Sequence, residues 1–178
     1  MVAYISMVNP GQGKKFAEAM AEVEVDISSD EELEQIERKG APLGLITTEG
    51  FRDILEMGAE QRYDIYDLFV QFPPPMVPRH LRQTVRERMD ARGQVVQALD
   101  LESLKVAASA LVNAGCQAIA VSLLHAYANP AHEQQIGQWL ASAHPGVAVS
   151  LSSDVVAEMG EYARTVTTCA NAYVQPLM

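Results

Sequence analysis

The sequence predicts an α/β fold, a mostly parallel sheet with helices on both faces and an inserted β-hairpin near residues 84 to 98. Three observations carry that reading. The stretch Ala41 to Gly58, APLGLITTEGFRDILEMG, changes period part-way along. Leu43, Leu45 and Ile46 form a short apolar run between Lys39-Gly40 and Glu49-Gly50, as a buried strand does. After Gly50, Phe51, Ile54, Leu55 and Gly58 recur at helical spacing. The second observation is CQAIAVSLL, Cys116 to Leu124, apolar almost throughout, which suits a central parallel strand covered on both faces. The third is the order helix, strand, helix, strand with short links after Asp100, the arrangement of βαβ units.

Taken in order, Val2 to Val8 reads as a strand, followed by Asn9-Pro10-Gly11-Gln12-Gly13-Lys14-Lys15. Glycines and a lysine after a strand invite a phosphate-loop reading, but the glycine spacing is wrong and no Ser or Thr follows the lysine, so a plain turn is expected. Phe16 to Val23 reads as a short helix. Ser28 to Lys39 reads as an acidic one, capped by Ser29 or Asp30, with acidic side chains at the positive end of its dipole.

Thr47-Thr48-Glu49-Gly50 then links strand to helix. Such a turn either caps the helix with its threonines or holds a ligand, because ligands of open α/β sheets sit where strands end and helix N-termini begin. Arg62 to Phe72 is polar, anchored by Ile65, Leu68 and Phe69, and Phe72 to Pro78 must be extended because its prolines fix φ.

Thr84 to Met89 and Gln94 to Ala98 alternate around Asp90-Ala91-Arg92-Gly93, and Gly93 supplies the positive φ of a tight connection: the hairpin. Val85, Glu87 and Met89 face one way, Arg86 and Arg88 the other, toward solvent. Asp100 caps a helix with the stripe Leu104, Ala107, Ala108, Leu111, ended by Gly115. Asn129-Pro130 opens another, buried through Ile136, Trp139 and Leu140. Pro145-Gly146 ends it before a strand over Val147 to Leu151. Ser152-Ser153-Asp154 starts the last helical stretch, in which Glu161, Arg164, Thr165 and Thr168 share a face. Read from spacing alone, that face is either a Glu–Arg surface pair with threonines bonded back to the preceding turn, or a site.

At 178 residues the chain is one domain or a domain with an appendage. It is 48% hydrophobic and 20% charged, the balance of a soluble globular protein. A net charge of −10 argues against nucleic acid or an anionic membrane as partner. There is no long apolar run, and the first residues lack the basic start of a signal peptide, so a cytoplasmic protein is expected. Cys116 and Cys169 are far apart and are expected reduced and buried. The four histidines show no H-x-x-x-H or H-E-x-x-H spacing, so no metal site is expected; His125 and His132 could meet at a strand's carboxyl end, but capping or solvated roles are expected.

The segments IERKGAPLGLITTEGFRDILEMG, RYDIYDLF, PPPMVPR, VRERMDARGQVV, AIAVSLLHAYANPAHE and EYARTVTTCANAYVQP occur here in this order. As an ordered set they resemble the N-terminal region of the hydantoinase A / 5-oxoprolinase family and, beside it, the related acetone and acetophenone carboxylase subunits. The resemblance runs from Ile36 to Met178; residues 1–35 form a divergent segment. It implies part of an actin/sugar-kinase-like ATPase fold. The implied function is a share in an ATP-dependent cyclic amide hydrolase acting on C–N bonds of hydantoin- or oxoproline-like rings. The alternative is a subunit or non-catalytic fragment of an ATP-dependent ketone carboxylase, inactive alone.

ATP and Mg are the implied cofactors, and a hydantoinase B-like subunit or domain in an oligomer is the implied partner. Phosphorylating a carbonyl or enolate oxygen calls for cations and hydroxyls around the phosphate. Arg164, Thr167 and Thr168 are the catalytic candidates, and Thr47, Thr48 and Arg52 the substrate- or nucleotide-binding ones. Relatives open with a glycine- and threonine-rich phosphate loop and carry a Thr-Thr and an Asn before ERKG. DISSDEELEQ stands there instead, so the nucleotide site is incomplete, and the sequence stops at Gln175-Pro176-Leu177-Met178 without a terminating element. Two readings follow, a fragment of a longer polypeptide or a chain whose N-terminus has diverged, and the abrupt stop favours the fragment.

Overall fold

The computed structural model describes residues 40–58 and 74–177. The expected strand Val2–Val8, the Asn9–Lys15 loop, the helices over 16–23 and 28–39, and Arg62–Phe72 lie outside the described residues. The described ones belong to one compact unit, Gly40–Met178.

Four strands, β1 (Leu43–Thr48), β2 (Arg82–Val85), β5 (Ala118–Ser122) and β6 (Ala148–Leu151), form a sheet in the order β2-β1-β5-β6. Every neighbouring pair is parallel, with Leu45 opposite Arg82 and Ala120, and Ala120 opposite Ser150. The central strand read from Cys116 to Leu124 is therefore central, and β1 beside it is buried along its whole length.

Alternation along the two middle strands sorts their side chains to opposite faces. Ile46, Ile119 and Val121 face one core, packed with Leu104, Ala107, Ala108 and Leu111 of α2 (Leu101–Asn113) and Ile136 and Leu140 of α3 (Ala131–Ala143). Leu43, Leu45, Ala118 and Ala120 face the other, against Cys169 and Ala172 of α5 (Glu161–Val174) and Leu55 of the single-turn α1 (Ile54–Met57). Helices thus cover both faces, as expected.

The α2 stripe consists of the four residues its period singles out, and Asp100 caps it by accepting from Glu102 N at 3.0 Å. Each buried leucine there contributes about 1.5–3 kcal/mol. Gly44 sets how closely α2 approaches: a Cβ there would lie 2.9 Å from the Leu111 methyls.

Two expectations are corrected. The hairpin exists, β3 (Arg88–Met89) against β4 (Val95–Gln97), but its first arm does not begin at Thr84. Thr84 and Val85 pair with Thr47 and Thr48 in the main sheet, because Val85 is apolar on the buried side and continues the parallel register. Gly93 has φ 75° at the tip, and the Asp90 carboxylate accepts from the amides of Arg92 and Gln94. The second correction concerns Thr47 and Thr48, which end β1 rather than cap a helix. The residue before α1 is Asp53, and its carboxylate pairs with Arg79 instead.

Beyond the proline run, Val77 is fully buried and its carbonyl accepts from Arg82 Nε at 2.8 Å and from Nη2 at 2.6 Å. That places a buried arginine on an outer strand, its remaining nitrogen paired with Glu56. A short helix α4 (Ser152–Val155) leads from β6 toward α5.

Candidate functional site

Parallel strands end on one side, and there the interior turns from apolar to polar. Thr47 and Thr48 close β1, Ser122 closes β5 and Ser152 follows β6, all buried. Charges arrive from three further places: Glu87 from the link between β2 and β3, His132 and Glu133 from the first turn of α3, and Glu161 and Arg164 from the first turn of α5. Two hydrogen-bonded groups result.

In the first, Glu133 has no exposed surface. Its Oε1 accepts from Leu123 N at 2.8 Å and from Ser152 Oγ at 2.7 Å, and its Oε2 from Ser153 N at 2.8 Å. One carboxylate therefore ties the ends of β5 and β6 to the start of α3. Burial pushes its pKa above the ordinary 4.5, and these donors oppose the push. Ser152 Oγ in turn accepts from Arg164 Nε at 3.1 Å. The rest of the Arg164 guanidinium donates to Leu123 O at 2.6 Å, to Glu158 O at 3.3 Å and to Glu161 Oε2, and it lies 5.5 Å from the Tyr127 ring.

In the second group, Glu87 bridges two elements. Its Oε2 meets His132 Nδ1 at 2.7 Å, and its Oε1 accepts from Thr48 Oγ1, which itself accepts from Leu124 N at 2.9 Å. Between the groups, the Ser122 and Thr165 hydroxyls bond at 2.8 Å. A shallow depression lies here, lined by Thr47, Phe51, Ile54, Ser122, Leu124, Glu161 and Thr165.

The family model for the hydantoinase/oxoprolinase N-terminal region matches residues 34–143. This chain belongs to that family. It is 38% identical over 160 residues to the acetophenone carboxylase gamma subunit of Aromatoleum aromaticum, covering 80% of this chain and 21% of that one. It is 31% identical over 160 residues to 5-oxoprolinase 1 of Arabidopsis thaliana, covering 80% and 13%. The crystal structure of the ATP-dependent caprolactamase from Pseudomonas jessenii matches with a TM-score of 0.73 at 34% identity, over 81% of this chain and 21% of that one. The chain thus spans about a fifth or less of the length of these relatives.

The residues singled out from the sequence fall in different surroundings. Arg164, Thr165 and Thr168 share the inward face of α5 with Glu161, as their spacing requires, and the threonines bond back along the helix: Thr165 to Glu161 O at 2.7 Å and Thr168 to Arg164 O at 2.7 Å. The Glu161–Arg164 pair is present but is not a surface pair, since Arg164 is 1% exposed. Thr167 is off that face, half-buried, and bonds to Ala163 O at 2.9 Å.

Thr47 is buried at the depression, and its hydroxyl has no hydrogen-bond partner among the described residues. Thr48 lies deeper, saturated by Glu87 and Leu124. Arg52 donates from Nη2 to Arg79 O at 3.0 Å, while its buried Nε has no partner among the described residues.

Glu87, His132, Glu133 and Ser152 were not among the sequence candidates. A signal existed for two of them. Glu87 alternates in step with Val85 and Met89, and Glu133 sits in a helix first turn, where a carboxylate reaches back to free amides. His132 is 4% exposed and bonded to Glu87, which corrects the capping or solvated role expected of it.

The layer does not fit a triphosphate. Its guanidinium and its imidazole are already paired, the layer carries three carboxylates (Glu87, Glu133, Glu161), and no group of three or more metal-ligating side chains occurs among the described residues. Both cysteines are buried and free; burial pushes the Cys116 thiol up and the Cys169 thiol up to about 12, far from a thiolate nucleophile. No helix among the described residues is long and apolar enough to cross a membrane.

Proposed function

We propose that this chain is part of an ATP-dependent cyclic amide hydrolase that opens the C–N bond of hydantoin- or oxoproline-like rings. The observation that carries the reading is its match to the ATP-dependent caprolactamase over 81% of its length, in sequence and in fold together. Under this reading the sheet is one lobe of an actin/sugar-kinase-like ATPase, with residues 1–35 as a separate divergent segment. The enzyme is cytoplasmic and oligomeric, and a hydantoinase B-like subunit or domain completes it.

Among the described residues the buried layer offers no unpaired cation for phosphate, and on this reading ATP and Mg are held by other parts of the enzyme. The candidates then divide by their surroundings. Thr47, which lines the depression, and Arg52, whose buried Nε has no partner among the described residues, are the substrate-facing ones. Arg164 and Thr48 hold the strand ends in place around them, Thr168 is buried and bonds back along α5, and Thr167 stays a catalytic candidate by its motif alone.

The test is ATP-dependent ring opening by the full-length polypeptide with its partner, on a panel of 5-oxoproline, hydantoin and caprolactam. Ring opening supports the reading. Carboxylation of acetone or acetophenone without ring opening would replace it with the ketone carboxylase alternative, which the 38% identity to the acetophenone carboxylase gamma subunit favours. For this chain alone, calorimetry should show no micromolar binding of ATP; such binding would mean that this lobe carries a phosphate site of its own.

A further inference from the structure

His125 follows the end of the central strand and is the non-glycine residue with positive φ, 56°, among those described. An L-residue adopts that backbone at a cost, and the surroundings enforce it here. The His125 amide donates to Glu161 Oε1 at 3.3 Å, and its carbonyl accepts from Ala128 N at 3.0 Å and Asn129 N at 3.3 Å. The turn sets the imidazole edge-on to Tyr127, with Nδ1 3.3 Å from the Tyr127 hydroxyl and 3.9 Å from Glu161 Oε1. Nε2 has no hydrogen-bond partner among the described residues, and the side chain is 25% exposed.

This is the opposite of His132. There the ring is locked against Glu87 out of reach of solvent. Here one ring nitrogen is oriented by neighbours and the other is open, and two residues beside it, Leu124 in the chain and Glu161 in space, line the depression. An imidazole oriented through one nitrogen and free at the other is the arrangement proton transfer needs. Whichever of Tyr127 and Nδ1 donates in their bond, Nε2 takes the complementary form, acid or base.

We propose that His125 is the general acid–base residue of this lobe. Its Nε2 takes a proton from water as the water oxygen bonds to the ring carbonyl carbon of a cyclic amide. It hands that proton to the ring nitrogen as the C–N bond breaks. The groups facing it are Tyr127 from its own turn and Glu161 from α5, with Arg164 behind Tyr127. The proposal rests on the reading of the chain as part of a cyclic amide hydrolase.

Two experiments separate it from that reading. In this chain, acylation by diethyl pyrocarbonate followed by peptide mass spectrometry should modify His125 and spare His132; protection of His125 as complete as that of His132 would overturn the free nitrogen. In the full-length enzyme with its partner, His125→Gly and His125→Asn both tolerate the positive φ, so a purely conformational role predicts full turnover. The expected result is a fall of roughly a hundredfold or more with unchanged melting, and partial recovery of His125→Gly by added imidazole. Wild-type turnover in His125→Gly would overturn the proposal. If the wild-type enzyme carboxylates ketones instead of opening rings, the functional reading fails, and the same variants and imidazole rescue in that reaction decide His125 separately.

Discussion

The middle of the sheet and its carboxyl end are built from the same strands and held by opposite means. In the middle, Ile46, Ile119, Val121, Leu104 and Leu111 interlock with no polar atom among them, and stability scales with apolar area removed from water. A few residues further along the strands, Glu87, Glu133, His132 and Arg164 are just as buried, and each is there only because a partner offsets the cost of leaving water. The apolar region tolerates changes of shape in proportion to volume. The polar region tolerates almost none, because removing one member strands the others. A layer that gives the sheet less stability than leucines would, yet fixes three strand ends and two helix starts at once, is what a site needs around it.

The sharpest way to break the contrast is to put an unpaired charge into the apolar region. Val121→Asp should abolish folding, since the carboxylate would meet Ile46 and Leu104 rather than donors. A soluble variant that melts cooperatively would place Val121 at the surface. Next in size is Arg164→Ala, expected to cost about 3–5 kcal/mol in urea denaturation, because Glu161, Ser152 and the Leu123 carbonyl all lose their donor. Arg164→Met keeps most of the stem's packing; an equal loss in both variants would assign the effect to the charge. A cost under about 1 kcal/mol for Arg164→Ala would mean that the pair behaves as an exposed one. Leu111→Ala follows at about 2–5 kcal/mol, with a spread set by how far Gly44 and α2 close the gap.

How much of this the sequence made legible divides along the same line. Leu104, Ala107, Ala108 and Leu111 announce themselves because apolar periodicity is local: four residues on one helix suffice to point to the core. The central strand was visible for the same reason. The Thr48–Glu87–His132 chain was not, since its members are 39 and 45 residues apart and each alone looks like a solvated polar residue. Thr84 was misassigned to the hairpin because alternation looks alike in a hairpin arm and in a parallel edge strand; only the register with β1 decides. The face shared by Glu161, Arg164, Thr165 and Thr168 was legible, but its burial was not, because helical spacing says which residues align and not what they align against.

Glu133 gives a smaller, pH-dependent effect. A carboxyl whose pKa is raised on folding holds its proton more tightly in the folded chain. Its contribution to stability is therefore complete below the ordinary 4.5 and is lost as pH rises through the folded value. Urea denaturation of wild type and Glu133→Gln between about pH 4 and pH 8 should show the wild-type advantage shrinking as pH rises. An advantage that grows with pH would mean that the three donors around Glu133 outweigh its burial and keep it ionised.

The smallest effect is expected at Thr167, and it tests where the polar layer ends. Thr167 belongs to the same EYARTVTT motif as Arg164 and Thr168, yet it lies off their face and its hydroxyl only bonds back to Ala163 O one turn earlier. Such a bond competes with the helix ladder rather than adding to it, and alanine is the better helix former by a few tenths of a kcal/mol. Thr167→Ala should therefore change stability by less than about 0.5 kcal/mol, and Thr168→Ala, fully buried against the layer, by more. If Thr167 serves only the helix, turnover of the full-length enzyme with its partner stays at the wild-type level. A tenfold or larger loss in Thr167→Ala, with melting unchanged, would show the hydroxyl reaching reacting atoms that the rest of the enzyme brings to this side of α5. The boundary between scaffold and site would then run through the helix rather than along its inward face.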